Sequence, residues 1–445
     1  MADIGLENGA PLSIQVTIKD RCELVFQEGD GEPLVIESEL SRDRLKSLCG
    51  PLRQVLKEFQ GNFQALQPRP EREIGEALRR LHFGGRQILW TLFNDEEKLD
   101  KASQMCRKLC PNIGKRGWKP GWDPSSFVPR TIEVFTSVDY WLPIDLLPLL
   151  NPDKPEAAET LYDVARIAAT FLGFSTIVKR TFPDSLPANR RMYVENQGSL
   201  PVKMFWDQGL PGAKSNKQFF DEHSAYFDLK GGPWPNGTES DANFYEQLAE
   251  YLVDPETSFD RESGHRADEL SYFYCHCDTT AENADDYVLY LACERRLAGL
   301  SLPSHSHSVQ LRHLRDELRL RNRRMMQTGR ATGRRPLVFL NACGSASLDP
   351  AAITSFPKLF LSKNMGFLGF IGTETTIPDA FGRVFAEVFY RNFVGGLSLG
   401  RSLHAARWYM LRHKSPLGIL YTLFADPEIR VRNMVESLRP KWPLD

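Results

Sequence analysis

Residues 335–347, RPLVFLNACGSAS, are the stretch on which the fold turns. Leu337 to Leu340 make a continuous apolar run, the pattern of a strand buried on both faces. Small residues follow around Cys343, so a thiol is expected where a strand passes into a loop. In open parallel α/β sheets, ligands and reacting groups collect beyond the carboxyl ends of the strands. Ala342, Gly344, Ser345 and Ala346 would let a substrate backbone approach and leave amides free to donate. Free cysteine is also among the most buried residue types, so Cys343 taken alone fits a small core side chain better than a nucleophile.

A second stretch changes that balance. In residues 269–280, ELSYFYCHCDTT, an apolar run from Tyr272 to Cys275 ends at His276, and the polar residues 278–280 are expected to form a loop. Neighbouring strands of a parallel sheet end on the same rim, so imidazole and thiol could come within hydrogen-bond reach. Such a dyad attacks acyl carbons. The thiolate is the nucleophile, the imidazole carries the proton to the leaving amine, and backbone amides hold the oxyanion. An isolated histidine at a strand end would be read more simply as a satisfied structural side chain.

These two motifs, followed by residues 366–408, GFLGFIGTETTIPDAFGRVFAEVFYRNFVGGLSLGRSLHAARW, resemble the CHAT domain, a caspase-like peptidase module related to caspases and separases. The resemblance spans at least Thr131 to Val431. The family's first motif usually ends Ala-Cys-His-Gly, matched here by Tyr274-Cys275-His276-Cys277. The second, Leu-x-Ala-Cys-x-Ser, is matched by Leu340 to Ser345. Cys277 stands where glycine is typical, and its larger side chain would narrow the oxyanion hole.

The resemblance implies an α/β fold: a mostly parallel central sheet flanked by helices on both faces, with a small N-terminal α+β lobe. It implies a cysteine endopeptidase with Cys343 as nucleophile, His276 as acid and base, and the amides of Cys277 and Cys343 as the oxyanion hole. No cofactor is called for. The implied setting is a bacterial protease in antiviral defence or cell-death signalling, acting on a protein substrate under an activating protein partner. Asp278, Asp349 and Glu374 lie near the expected strand ends and would suit a basic substrate side chain. The rival expectation is a CHAT-like interaction scaffold with little or no activity.

The remaining sequence sets the bounds. Its 445 residues suffice for a large domain with an accessory lobe, and the expected division is 1–128, 129–435 and a tail at 436–445. A net charge of -2 gives no general reason to expect nucleic-acid or membrane binding. Eight cysteines without framework spacing fit reduced thiols in the cytoplasm. The N-terminus lacks a signal-peptide pattern, and no apolar run approaches the ~20 residues of a membrane span.

Local patterns give strands at 13–18 and 23–27, then helices at 41–63 and 72–93, the second interrupted or ended at Gly84-Gly85. Alternating strands and helices from 131 to 206 favour a parallel sheet. Further strands are expected at 367–371, 420–424 and 429–431, and helices at 380–393 and 398–412. Gly209 to Ser215 looks like a phosphate loop but has the wrong spacing before Lys214. Cys106 with Cys110, and His305 with His307, are each half a metal site, and no metal is assigned. Cys275 and Cys277 should point away from His276 on a strand, which disfavours a shared metal or redox centre. Residues 311–335 are rich in arginine and begin as an amphipathic helix, read first as a solvated face and otherwise as a regulatory insertion, either an arm for an acidic partner or a loop exposed to processing beside the active site.

Overall fold

The computed structural model describes residues 12–18, 22–38, 42–63, 68–109, 129–135, 142–149, 158–181, 199–230, 232–237, 243–253, 269–279, 287–293, 296–297, 300–301, 305–327, 336–342, 355–362 and 367–431. The expected hairpin forms from β1 (Leu12–Ile18) and β2 (Cys22–Glu28), with Ile14 opposite Phe26 and both side chains buried. β3 (Leu34–Ser38) continues the antiparallel order. Three helices follow, α1 (Arg42–Gly61), α2 (Glu71–Phe93) and α3 (Glu96–Leu109).

Gly84 and Gly85 lie inside α2 and do not end it. A Cβ at Gly85 would come 2.8 Å from both the Leu146 carbonyl oxygen and Pro148, and one at Gly84 would come 3.2 Å from Leu52. Close approach of these segments to the helix outweighs the ~1 kcal/mol propensity penalty of each glycine.

β4 (Thr131–Phe135) pairs in parallel with β1 and with β5 (Ile177–Thr181), giving a five-stranded sheet in the order β3-β2-β1-β4-β5. Strands on both sides of residue 128 therefore share one sheet, and β4 and β5 do not join the central one. Between them lies α4 (Leu161–Ala168), started by a capping box of Thr160 and Asp163.

The central sheet uses β6 (Leu200–Trp206), then, after α5 (Pro211–Glu222), β7 (Phe227–Leu229). α6 (Phe244–Val253) leads to β8 (Leu270–Tyr274). A separate three-stranded antiparallel sheet comprises β9 (His276–Thr279), β10 (Tyr287–Cys293) and, beyond the short pair β11 (Arg296–Leu297) and β12 (Leu300–Ser301), β13 (His305–Gln310). α7 (Leu311–Gln327) then precedes β14 (Leu337–Asn341). The chain finishes with α8 (Phe356–Leu361), β15 (Gly369–Thr373), α9 (Asp379–Val394), α10 (Leu399–Arg412) and β16 (Tyr421–Ala425).

Central-sheet order is β16-β15-β14-β8-β6-β7, parallel except for β16. Every residue of β6, β8, β14, β15 and β16 is buried, which is why these strands read as apolar runs rather than alternations. Alternate side chains still divide between two helical layers. Tyr272 and Phe339 meet Tyr390 of α9, and Tyr272 also meets Phe220 of α5. On the opposite face Phe273 stacks on Phe205 at 4.2 Å, and these rings meet Phe360 of α8 and Tyr251 of α6. The strand expected at 429–431 does not form, although Ile429 and Val431 are buried.

A buried charge cluster joins the two large sheets. Arg407 of α10 donates to Asp145 Oδ1 at 2.9 Å and to the carbonyls of Gly173 and Tyr421. Arg180 of β5 pairs with the other Asp145 oxygen and reaches the Leu423 carbonyl of β16 at 3.5 Å. Burial opposes the charged form of Asp145, but the two guanidinium groups outweigh it and hold the carboxyl below its usual range.

One turn earlier on α10, His404 Nε2 lies 2.7 Å from the Phe174 carbonyl, which also accepts from the Trp408 indole at 2.8 Å. Burial lowers the imidazole to about 3, with Arg407 and Arg401 adding to the effect. An unfolded histidine binds its proton near pH 6.5, so this group's contribution is fully present above pH 6.5 and is lost as pH falls toward 3. Urea midpoints of the wild type are expected to fall across that window more steeply than those of His404→Gln. Parallel curves would show that His404 does not set the slope.

Candidate active site

β8 and β14 are neighbours in parallel, with Tyr274 opposite Asn341 and Trp206 of β6 on the other side of Tyr274. Their carboxyl ends therefore share one rim. Past Tyr274 the chain bends at Cys275 and continues as β9, whose first residue, His276, sits opposite Tyr290. Asp278 and Thr279, expected to begin a polar loop, thus lie in a strand of the side sheet. Its alternation buries Cys275, exposes His276, half-buries Cys277 and exposes Asp278. Period two places His276 and Asp278 on the same face of β9.

On the neighbouring strand, Ala342 is the last described residue before the candidate nucleophile. Cys343 and Asp349 lie outside the described residues. The Ala342 carbonyl accepts from Thr373 Oγ1 of β15 at 2.6 Å, and both residues are buried. Glu374, the third candidate pocket acid, is also buried and accepts from Thr422 Oγ1 at 2.7 Å.

Beneath this rim lies a polar network inside an otherwise apolar core. The buried Asn341 amide donates to the Gly382 carbonyl at 3.0 Å and the Tyr272 hydroxyl at 3.3 Å, and its oxygen accepts from the Tyr421 hydroxyl at 2.6 Å. Tyr272 in turn donates to Asn216 of α5 at 2.6 Å, and Asn216 donates to the Arg383 carbonyl and to Glu387. Asn341 thereby links its own strand to β8, β16 and α9. A Cβ at Gly382 would come 2.9 Å from Asn341 Oδ1, so the helix approaches this amide only because position 382 has no side chain.

A second group fixes the end of β8. The Tyr274 hydroxyl lies 2.6 Å from the Asp379 carbonyl oxygen and 2.9 Å from its Oδ1, and the Gly212 amide donates to Asp379 Oδ2 at 2.9 Å. The Gly-rich stretch at 209–215 thus leads into the start of α5, and Gly212 meets a carboxylate of the chain itself. A Cβ there would fall 2.0 Å from the Tyr274 hydroxyl. Burial raises the pKa of Tyr272, Tyr274 and Tyr390, so these phenols stay protonated.

Sequence reading did not pick out Asn216, Tyr272, Asp379 or Tyr421 as supports of the rim. Asn341 carried a usable signal, a polar amide inside the apolar run LVFLNA. Elsewhere, burial pushes the Cys106 thiol up to about 12, as expected for a core side chain, while Cys110 lies outside the described residues. His307 is buried against Phe244, with ring centres 3.8 Å apart. No group of three or more metal-ligating side chains occurs among the described residues. Among those residues, too, no helix is long and apolar enough to cross a membrane.

The CHAT domain model matches residues 253–428. In structure the chain is similar to two crystal structures of the Saccharomyces cerevisiae separase–securin complex, at 11% and 12% identity and a TM-score of 0.43 in each. The matches cover 95% and 94% of this chain but only 30% of the matched chain in each case. No curated protein matches this sequence. The segment that matches the CHAT domain, residues 253–428, contains β8, β14 and both sequence motifs.

Proposed function

We propose that this chain is a cysteine endopeptidase in which Cys343 is the nucleophile and His276 the acid and base. One observation carries the reading: Tyr274 and Asn341 are register partners on adjacent parallel strands, and each motif residue follows its partner by two positions. Exposure of His276 leaves the imidazole accessible to a substrate.

His276 accepts the thiol proton as the Cys343 sulfur bonds to the scissile carbonyl carbon, and the amides of Cys277 and Cys343 receive the oxyanion. Collapse breaks the C–N bond, with the imidazole delivering its proton to the leaving amine. Water, deprotonated by His276, then hydrolyses the thioester and regenerates the thiol. Asp278, on the same face of β9 as His276, favours a basic residue before the scissile bond, with Asp349 six positions beyond the nucleophile as a second contributor. Glu374 is engaged by Thr422 and is left out of this pocket. The CHAT resemblance alone supports the wider setting: a cytoplasmic protease in defence or cell death, controlled by a protein partner.

Incubating a denatured whole-cell protein mixture with wild type and with Cys343→Ala, then identifying new N-termini by mass spectrometry, tests the proposal. New termini after lysine or arginine are expected with the wild type alone. If neither protein cleaves and an acyl-electrophile thiol probe fails to label Cys343, the chain is a scaffold.

A further inference from the structure

We propose that the outer face of α7 docks an acidic segment of a partner protein that also presents an apolar side chain, and that this docking acts on the candidate active site through the side sheet. Residues 311–327 contain six arginines against Asp316 and Glu317, a net charge of +4 within a chain whose net charge is -2. A helix this basic needs either internal partners or external ones.

The inner face is fully used. Leu311, Leu314, Leu318 and Asn322 are buried, and α6 packs along the helix. Two arginines find acids on α6, Arg321 with Glu250 at 2.8 Å and Arg324 with Glu246 at 3.7 Å. Arg312, Arg319 and Arg323 recur at spacings of seven and four, which puts them on one exposed stripe roughly 16 Å long. Arg319 and Arg323 have no ion pair among the described residues, and between them Leu320 is 45% exposed.

The chemistry of this stripe selects the occupant. Guanidinium groups bind carboxylates in paired hydrogen bonds, and arginine is enriched where interfaces carry most of their energy. Phosphates would satisfy the arginines as well, but a nucleic-acid backbone offers nothing to an exposed leucine among them. Carboxylates flanking an apolar side chain satisfy both. An extended peptide of about five residues spans the stripe.

The helix is attached directly to the candidate site. Gln310 ends β13 and Leu311 begins α7 with no linker. β13 pairs with β10 over six positions, and β10 pairs with β9, where Tyr290 faces His276. At the junction the Tyr245 hydroxyl of α6 accepts from the Gln310 amide at 2.9 Å and donates to the Ser308 carbonyl at 3.1 Å, and the Tyr245 ring meets His313 edge-on. A segment held on α7 therefore bears on the same small sheet that holds the imidazole. This coupling, unlike the docking, rests on the peptidase proposal.

Fluorescence polarisation with the full chain and a labelled twelve-residue peptide of repeating Glu-Glu-Leu tests the docking, and the labelling rate of Cys343 with and without peptide tests the coupling. The wild type should bind, and R319E with R323E should weaken binding at least tenfold with unchanged circular dichroism and Tm. Leu320→Ser, or serine in place of leucine in the peptide, should weaken it several-fold. Bound peptide should accelerate labelling.

Absence of binding, or binding indifferent to the charge reversal, overturns the docking. Tighter binding of a single-stranded oligonucleotide of equal charge, unaffected by Leu320→Ser, overturns it in favour of nucleic acid. Peptide binding that leaves an active labelling rate unchanged overturns the coupling. Peptide binding to a chain whose Cys343 never labels removes the peptidase proposal, and the coupling with it, and leaves the docking intact.

Discussion

Asp145→Ala is expected to cost ~3–5 kcal/mol of folding free energy, because removing one partner of a buried ion cluster leaves uncompensated charge. Two guanidinium groups, Arg180 and Arg407, would remain inside the protein around a missing carboxylate. A protein of this kind has only about 5–15 kcal/mol in total, so unfolding near room temperature is within range. The loss should reach both large sheets, since Arg180 sits on β5 while Arg407 contacts the carbonyl that begins β16. Urea unfolding followed by tryptophan fluorescence measures it. Replacing all three residues with apolar side chains of similar volume should recover most of the loss, because the cost arises from unpaired charge. A single-mutant loss below about 1 kcal/mol would mean that the arginines find other partners, as poorly paired surface ions do.

His276→Ala should slow acyl-probe labelling of Cys343, and any proteolysis, by about 10²–10⁴-fold, the usual contribution of a positioned acid or base. An unassisted thiol depends on its own ionisation near pH 8.5, so the variant's labelling should rise steadily toward alkaline pH. The wild type should approach its plateau at lower pH, because the imidazole assists removal of the proton. Free imidazole added to the variant should restore part of the rate, which a merely structural histidine would not permit. Equal labelling of both proteins across pH would remove His276 from the proposed dyad.

How far the sequence reveals this molecule differs from element to element. Fully buried strands announce themselves as uninterrupted apolar runs, so LVFL before Asn341 and SYFY before Cys275 were legible, as was the hairpin at the N-terminus. Helix α2 was legible in extent but not in continuity. The effect of Gly84-Gly85 depends on whether another segment packs against it, and here Leu146 and Pro148 do. The polar residues 278–280 read as a loop, yet pairing with β10 puts Asp278 and Thr279 in a strand.

By itself, then, the sequence determined the α/β class, the two candidate rim motifs with His276 and Cys343, and the amphipathic character of α7. All are recorded in local order, as apolar periods of two or 3.6 residues and as motif spacing. Tertiary structure alone decided that β4 and β5 join the N-terminal sheet, and that Asn341 collects Tyr272, Gly382 and Tyr421 around the end of β14. It also placed Asp145 between arginines 35 and 262 residues distant. The physical reason is common to all three. A buried amide or charge is tolerable only where its partners converge in space, and no local pattern in the chain encodes which distant residues those will be.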